Sequence, residues 1–277
     1  MMTVIDVSHH QGQIDWETVK PNISGAILRC GYGQDLPEQD DKQFKRNADA
    51  CTRLGIPFGV YLYSYAKRPD MANGEAEHTL RLIQDYTLRY PVYYDLEDAR
   101  TVGMMSNAEI RQLTEIFCDK IEKSDHYAGV YANQWWFNTR LEDPFYDRYT
   151  RWCARYSNER PNVVCDMWQY TSDGTIPGVQ GRCDISRCYR DFPQEIGQRE
   201  EAETPPPSAT EYQIGQHVVF STCYRSSTDP ISKAISADNM LRNHGVITKI
   251  VAGARNPYLL DNGLCWVNNG DIRGFYK

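Results

Sequence analysis

Short apolar runs recur along the first two thirds of the chain. At first they alternate with stretches whose apolar residues return every three to four positions. Residues 4–7, 25–30, 57–63, 92–96 and 128–132 are rich in β-branched and aromatic side chains and read as strands. Between them, residues 14–20 predict a short helix closed by Pro21. Phe44, Ala48 and Cys51 predict a second helix with Gly55 as its C-cap, and Ala72, Ala76, Leu80 and Ile83 a third. Ser106-Asn107-Ala108-Glu109 is a capping box, opening a helix whose core face is Ile110, Leu113, Phe117 and Ile121. Beyond residue 132 the helical spacing almost disappears. Residues 151–155, 165–170 and 182–186 read as strands whose gaps are too short for crossover helices. The early alternation predicts a parallel sheet, and eight strands within about 190 residues predict closure into a barrel. The fold class expected is therefore α/β, an irregular eight-stranded β/α barrel with few late helices. In such a ring strand one lies beside strand eight and across from strand four.

The periodicity stops at Phe192. Residues 194–210 contain the acidic run Glu200-Glu201-Ala202-Glu203 and then Pro205-Pro206-Pro207, which reads as a semi-rigid linker. A second pattern follows, with strand signals at residues 217–224 and 245–251. Asp229-Pro230 looks like a helix start and Gly245 its end. A hairpin is expected over residues 258–267 around Asn262-Gly263, with another turn at residues 268–271. The domain reading is a barrel over 1–192, a linker over 193–210 and a small C-terminal β-barrel module of about 65 residues over 211–277.

Charge sharpens this division. The chain carries −7 overall. Residues 205–277 hold five acids against seven bases, a net of +2 that leaves −9 for residues 1–204. The acidic main domain lacks the basic footprint that nucleic acid requires. The mildly basic tail suits an anionic polymer. No apolar run is long enough to span a bilayer. The start of the chain, Met1-Met2-Thr3-Val4, has neither the basic region nor the apolar stretch of a secretory leader, so cytoplasmic synthesis is expected. The nine cysteines are scattered without metal-ligand spacing, and reduced core thiols with no zinc and no cofactor are expected.

Chemistry is concentrated where the fourth strand ends. Asp95 and Glu97 are separated by one residue, so on an extended chain they leave the same face roughly 6.6–7 Å apart. Each hinders ionisation of the other. A protonated acid beside an ionised one suits general acid chemistry on an acetal. The pair alone would equally fit solvated strand-end acids or helix caps. The barrel reading adds Asp6 on strand one and Asp184 on strand eight, so four acids could surround one mouth. Tyr61, Tyr63 and Tyr131 lie at strand ends, where their rings could stack on sugars. Arg29, on strand two, is placed to meet the acids or a substrate. The adjacent His9 and His10 read as local hydrogen-bonding groups, and Trp135-Trp136 as either a cleft wall or a buried corner.

Four stretches match a known family in order and spacing. They are Ile5-Asp6-Val7-Ser8-His9-His10-Gln11-Gly12, Tyr93-Tyr94-Asp95-Leu96-Glu97, Asp166-Met167-Trp168-Gln169-Tyr170 and Cys183-Asp184-Ile185-Ser186. Across residues 3–192 they resemble glycoside hydrolase family 25, the lysozymes (N-acetylmuramidases) of phages and Gram-positive bacteria. That resemblance implies a barrel with eight strands and few helices. It implies Glu97 as general acid and Asp95 as support for the transition state, with Asp6 and Asp184 completing the acidic ring. It also implies substrate contacts at Tyr61, Tyr131, Trp168 and Gln169. Leu62 departs from the pattern, because many members carry a His or a larger polar group there. The C-terminal module resembles the Src-homology-3-like domains that target such enzymes to cell walls. The whole resembles a phage endolysin, made without a signal peptide in the host cytoplasm and released through a holin. Its partners would be peptidoglycan and wall polymers, with no nucleic acid and no stable membrane insertion. No residue signal indicates oligomers formed through the module. Two alternatives stand beside this reading: a barrel that binds walls without cutting them, and a hydrolase acting on the glucosaminidase or chitin-type linkage.

Overall fold

The computed structural model describes residues 1–203 and 212–276. Two compact units divide the chain, Met1–Ile196 and Gly197–Lys277. The first is built on eight strands: β1 (Met2–Val7), β2 (Gly25–Tyr32), β3 (Phe58–Tyr63), β4 (Val92–Asp95), β5 (Ala128–Asn133), β6 (Thr150–Ala154), β7 (Met167–Gly174) and β8 (Cys183–Cys188). They close into a barrel in sequence order. Strands β1 to β7 run parallel to one another. Strand β8 departs from the all-parallel expectation and is antiparallel to both β7 and β1. The cause is the short link across residues 175–182, where Gly178 and Gly181 adopt positive φ. A link of that length turns a hairpin, whereas a parallel return needs a dozen or more residues.

Among the described residues six helices accompany the strands: α1 (Trp16–Val19), α2 (Phe44–Leu54), α3 (Pro69–Ile83), α4 (Asn107–Glu122), α5 (Gln134–Thr139) and α6 (Phe192–Glu203). The local signals behave as read. Gly55 ends α2 in the left-handed region at φ 65°, and Ser106 with Glu109 forms the capping box of α4. After α4 only the short α5 and one 3-10 turn (Pro144–Arg148) lie between strands.

Strand alternation separates two cores. Outward side chains such as Val60, Leu62, Tyr94 and Leu96 pack against Ala76 and Ile83 of α3 and Leu113 and Phe117 of α4. Tyr94 stacks on Phe117 with ring centres 4.0 Å apart. Inward side chains fill the barrel with Val4, Ile27, Tyr93, Tyr131, Trp152 and Met167. Trp152 is the hub, its ring 4.4 Å from Tyr131, 5.2 Å from Tyr93 and 6.1 Å from Tyr61. Gly129 makes room for this cluster, because a Cβ there would lie 2.5 Å from the Tyr93 ring.

The same inner core includes Tyr90, Phe192 and Ile196, with Tyr90 and Phe192 5.9 Å apart. Phe192 and Ile196 are one helical turn apart on α6 and seal the barrel floor. The stretch read as a linker from residue 193 therefore begins as a helix anchored in the barrel. Pro205-Pro206-Pro207 lies outside the described residues.

A buried carboxyl fastens the loop after β3. Glu75 of α3 is fully buried and accepts hydrogen bonds from the hydroxyls of Tyr94 (2.5 Å) and Ser64 (2.8 Å) and from the Tyr65 N–H (2.8 Å). Burial pushes this carboxyl up from 4.5 to about 7, against those hydrogen bonds. A raised acid stabilises the fold below its unfolded value, and that stability is lost as pH rises through the folded one. Ionising Glu75 should therefore cost up to about 3 kcal/mol between pH 4.5 and about 7. Urea unfolding of Glu75→Gln should show a shallower loss of stability across that window. A slope as steep as the wild type's would assign the loss to other groups.

The second unit is a five-stranded antiparallel sheet with a two-stranded ribbon. Its strands are β9 (His217–Phe220), β10 (Thr222–Cys223), β11 (Ile235–Ser236), β12 (His244–Ile250), β13 (Tyr258–Leu260), β14 (Cys265–Val267) and β15 (Ile272–Phe275). The ribbon pairs β10 with β11, and a bridge from Tyr224 to Trp266 ties it to the sheet order β14-β13-β12-β9-β15. The helix expected from Pro230 to Gly245 is absent. In its place two 3-10 turns, Ile231–Lys233 and Ala237–Asn239, flank β11. Ser236 accepts from the Asp238 N–H, the local bonding by which Ser and Asp draw backbone away from helices. The β13–β14 hairpin forms as read, but its left-handed residues are Asp261 (φ 46°) and Asn262 (φ 56°), one position earlier than Asn-Gly. All nine cysteines are buried and free. Among the described residues no helix is long and apolar enough to cross a membrane.

Candidate active site

Asp6 is the penultimate residue of β1 and stands directly opposite Asp184 of β8 in the ladder. Because β8 runs backwards, an acid near its start reaches the mouth that the parallel strands approach with their ends. Asp95 is the last residue of β4, in register with Tyr63 on β3 and Tyr131 on β5. Glu97 lies just beyond, and its N–H donates to the Asp95 carboxylate at 3.4 Å. The intervening Leu96 is buried in the outer core.

All four carboxyls are held above their ordinary range. Burial raises Asp6 most, the Asp184 charge adds to it, and the hydrogen bond from Gln169 opposes. For Asp95 burial again leads, followed by the charge of Glu97, with the nearby Arg29 pulling the other way. Burial raises Glu97, a hydrogen bond to Asn133 opposes, and the Asp184 charge raises it further. Asp184 is raised by burial. Burial and the charges of their neighbours thus work against simultaneous ionisation of the four carboxyls.

Gln169 organises the floor of the mouth. Its Nε2 donates to both oxygens of Asp6, at 3.1 and 2.9 Å, while its Oε1 accepts from the hydroxyls of Tyr131 (2.8 Å) and Tyr156 (3.2 Å). Tyr61 stands edge-on to Trp152, and the Tyr63 hydroxyl donates to Asp98 at 3.4 Å. Each of these side chains is on the inner face or rim.

Two sequence candidates stand elsewhere. Trp168 faces the outer core at 2% exposure, and its indole N–H donates to the Arg155 carbonyl at 2.8 Å. Neighbours on a strand face opposite ways, so Gln169 inside places Trp168 outside. Arg29 is engaged by Asp41, which its Nε meets at 2.8 Å, and its guanidinium lies against His9. Asp41 also accepts from the His9 and Gln43 N–H groups, at 3.0 and 2.9 Å, locking the loop after β1. Arg29 therefore acts on Asp95 through its charge rather than by contact. Leu62 likewise packs in the outer core, so the departure at that position does not fall on the mouth.

Asn133 and Tyr156 escaped the sequence reading. Each lies two residues beyond an inward-facing side chain, Tyr131 and Ala154 respectively, so period-two alternation carried a signal for both. Asp41 sits in a turn and carried none. Beside Glu97 opens a cleft of about 370 Å³ that Asn133, Trp135 and Tyr156 line. A larger groove of about 960 Å³ along α1 and α2 includes none of the four acids. Two ion pairs lie along it, Arg53 with Glu17 at 3.2 Å and Lys45 with Asp49 at 3.4 Å. Among the described residues no cluster of His, Cys, Asp and Glu is arranged to hold a metal ion.

Several known proteins resemble this chain. The chain is 25% identical over 212 residues to Lysozyme M1 of Streptomyces globisporus, covering 66% of each chain. The modular autolysin LytC of Streptococcus pneumoniae, solved in complex with a synthetic peptidoglycan ligand, is 31% identical with a TM-score of 0.60. That match covers 67% of this chain and 46% of the autolysin. The catalytic domain of the endolysin ply40, from bacteriophage P40 of Listeria monocytogenes, shares the fold at 21% identity and a TM-score of 0.60. It covers 71% of this chain and 97% of that domain. Thus the chain spans just under two thirds of the lysozyme and about half of the autolysin. Residues 5–179 match the family described as Glycosyl hydrolases family 25, which takes in β1 to β7 with Asp6, Asp95 and Glu97, and the chain belongs to that family.

Proposed function

We propose that the protein hydrolyses the β-1,4 bond between N-acetylmuramic acid and N-acetylglucosamine in bacterial peptidoglycan. The observation that carries this reading is a raised carboxyl, Glu97, at the rim of a barrel mouth beside three further desolvated acids. Glu97 donates its proton to the glycosidic oxygen as the bond breaks. Asp95 supports the positive charge that develops at the anomeric carbon, acting on the substrate's N-acetyl group or on water. Asp184 helps keep Glu97 protonated through its own charge. Gln169 fixes Asp6, and Tyr61, Tyr63 and Tyr131 supply aromatic surface around the acids. Family membership, the lysozyme relative and the autolysin solved with a peptidoglycan ligand support the choice of substrate. The second unit is proposed to hold the enzyme on wall polymers, and its sheet-rich architecture and small size support a Src-homology-3-like module.

Digestion of purified Gram-positive walls, followed by borohydride reduction and mass spectrometry, tests the bond assignment. Reduced muramic acid at the new ends is the expected product. Reduced glucosamine would move the cut to the other linkage, and no product from several walls would overturn the assignment.

A further inference from the structure

The groove along α1 and α2 begins where the mouth ends. The Asp15 N–H donates to the Gly178 carbonyl at 2.9 Å, which ties α1 to the link between β7 and β8. Gln11 Nε2 donates to the Arg182 carbonyl at 3.4 Å, two residues before Asp184. Lys42 follows Asp41, whose carboxylate holds the loop after β1 and Arg29. The upper end of the groove, at Gln13, Lys42 and Gln180, therefore adjoins the side of the ring where Asp6 meets Asp184. From there it descends the barrel wall, and the eleven residues of α2 give it a length of about 16 Å.

Its floor is rigid and its charges are uneven. Ile14 and Trp16 are buried, and the Trp16 indole N–H donates to Asn47 of α2 at 3.0 Å. Both terminal nitrogens of Arg46 donate to the Ile14 carbonyl at 3.3 Å, which fixes the guanidinium across the groove. Four bases and three acids line the walls, a local positive excess in a stretch of chain that is otherwise strongly acidic. The two ion pairs neutralise two of each. That leaves Lys42 and Arg46 without a carboxylate partner among the described residues, and Asp15 bonded only to Thr18.

We infer that this groove holds the stem peptide of the glycan being cut, an acidic peptide whose carboxylates meet Lys42 and Arg46. The inference rests on the reading of peptidoglycan as substrate. Muramic acid carries its peptide on the lactyl group, so a glycan seated in the mouth sends that peptide out over the rim. The stem bears free carboxylates on its glutamate and its last residue, and an amine on its diamino residue. Two unpaired cations and one unpaired carboxylate match that set, with Asp15 placed for the amine. An extended tetrapeptide spans roughly 13–14 Å, which the groove accommodates along α2.

The test uses the full-length chain and a soluble, uncrosslinked peptidoglycan oligosaccharide. It is offered with its tetrapeptide stems and again after an amidase has removed them, and the new reducing ends are counted. Lys42 is exposed, so its replacement leaves the fold in place. On the peptide-bearing substrate Lys42→Glu should raise KM by about 5-fold, the scale of one exposed ion pair, with kcat unchanged. Lys42→Arg should keep the wild-type KM, and on the stripped substrate the three proteins should behave alike. An equal loss on both substrates, or a loss on neither, would overturn the groove. Calorimetric titration with the free peptide L-Ala-γ-D-Glu-L-Lys-D-Ala separates this from the reaction, since the wild type should bind it more tightly than Lys42→Glu. If the wild type cuts neither substrate, the proposed reaction falls and the titration decides the groove. Equal binding by the two proteins, or binding by neither, would then overturn it as well.

Discussion

Glu97→Gln is expected to lower kcat on purified walls by about 10³-fold, within the usual contribution of a positioned general acid, while wall binding stays near the wild-type level. Glutamine keeps the shape of the side chain and its bond to Asn133 but has no proton to give. The pH profile carries the same information. Burial, together with the Asp184 charge, raises Glu97 against the Asn133 hydrogen bond, so the alkaline limb of kcat/KM should lie above the ordinary glutamate range. Both limbs belong to the ring of acids as a coupled unit, because the members act on each other's ionisation. In the residual activity of Glu97→Gln the alkaline limb should therefore shift. Turnover within about tenfold of wild type would remove Glu97 from the role.

Asp95→Asn is expected to cost about 10²- to 10³-fold in kcat, the scale seen when one preorganised electrostatic partner is removed from a transition state. Asparagine still accepts the Glu97 N–H through its side-chain oxygen, so the rim should keep its form. What it lacks is the carboxyl group that, in the proposed reaction, faces the anomeric carbon and can carry charge there. The same change should raise thermal stability at neutral pH. The Asp95 carboxyl is raised above its unfolded value, chiefly by burial and then by the Glu97 charge. Its contribution to stability is therefore present at low pH and lost as pH rises through the folded value. Asparagine removes that loss. Lower activity with a higher melting temperature at pH 7 is the predicted pair of results, and a variant with full activity would refute the charge argument.

Much of this architecture is legible in the chain because its signals are local and periodic. Gly55 ends α2 and Ser106-Glu109 opens α4 as their chemistry dictates. The eight apolar runs become the eight barrel strands in sequence order. Meeting of Asp6 and Asp184 follows from ring closure, which pairs the first and last strands, together with the reversed run of β8. The direction of β8 depends instead on a short link whose glycines turn it back. Trp168 shows how a motif match can mislead, because belonging to a matched stretch does not say which face a side chain takes. Period-two alternation does say it, and it separates Trp168 from Gln169. Arg29 was placed near the acids, but its partner Asp41 lies in a turn without periodicity and could not be paired with it from sequence. At Asp229-Pro230 a good helix start had no apolar face behind it, and strand pairing prevailed.

Phe192 and Ile196 close the barrel at the end opposite the acids, so their influence on the chemistry passes through hydration. Between the floor and the mouth the interior is aromatic, from Tyr90 through Tyr93 and Trp152 to Tyr131. Asp6 and Asp95 stand at the top of this apolar column, and burial is the largest cause of the rise in each. A catalytic fragment cut before residue 192 would open the column to water from below and lower the cost of charging the ring. The first unit accordingly ends at Ile196 and not at the last strand, and a fragment meant to keep its interior sealed has to include that turn of α6.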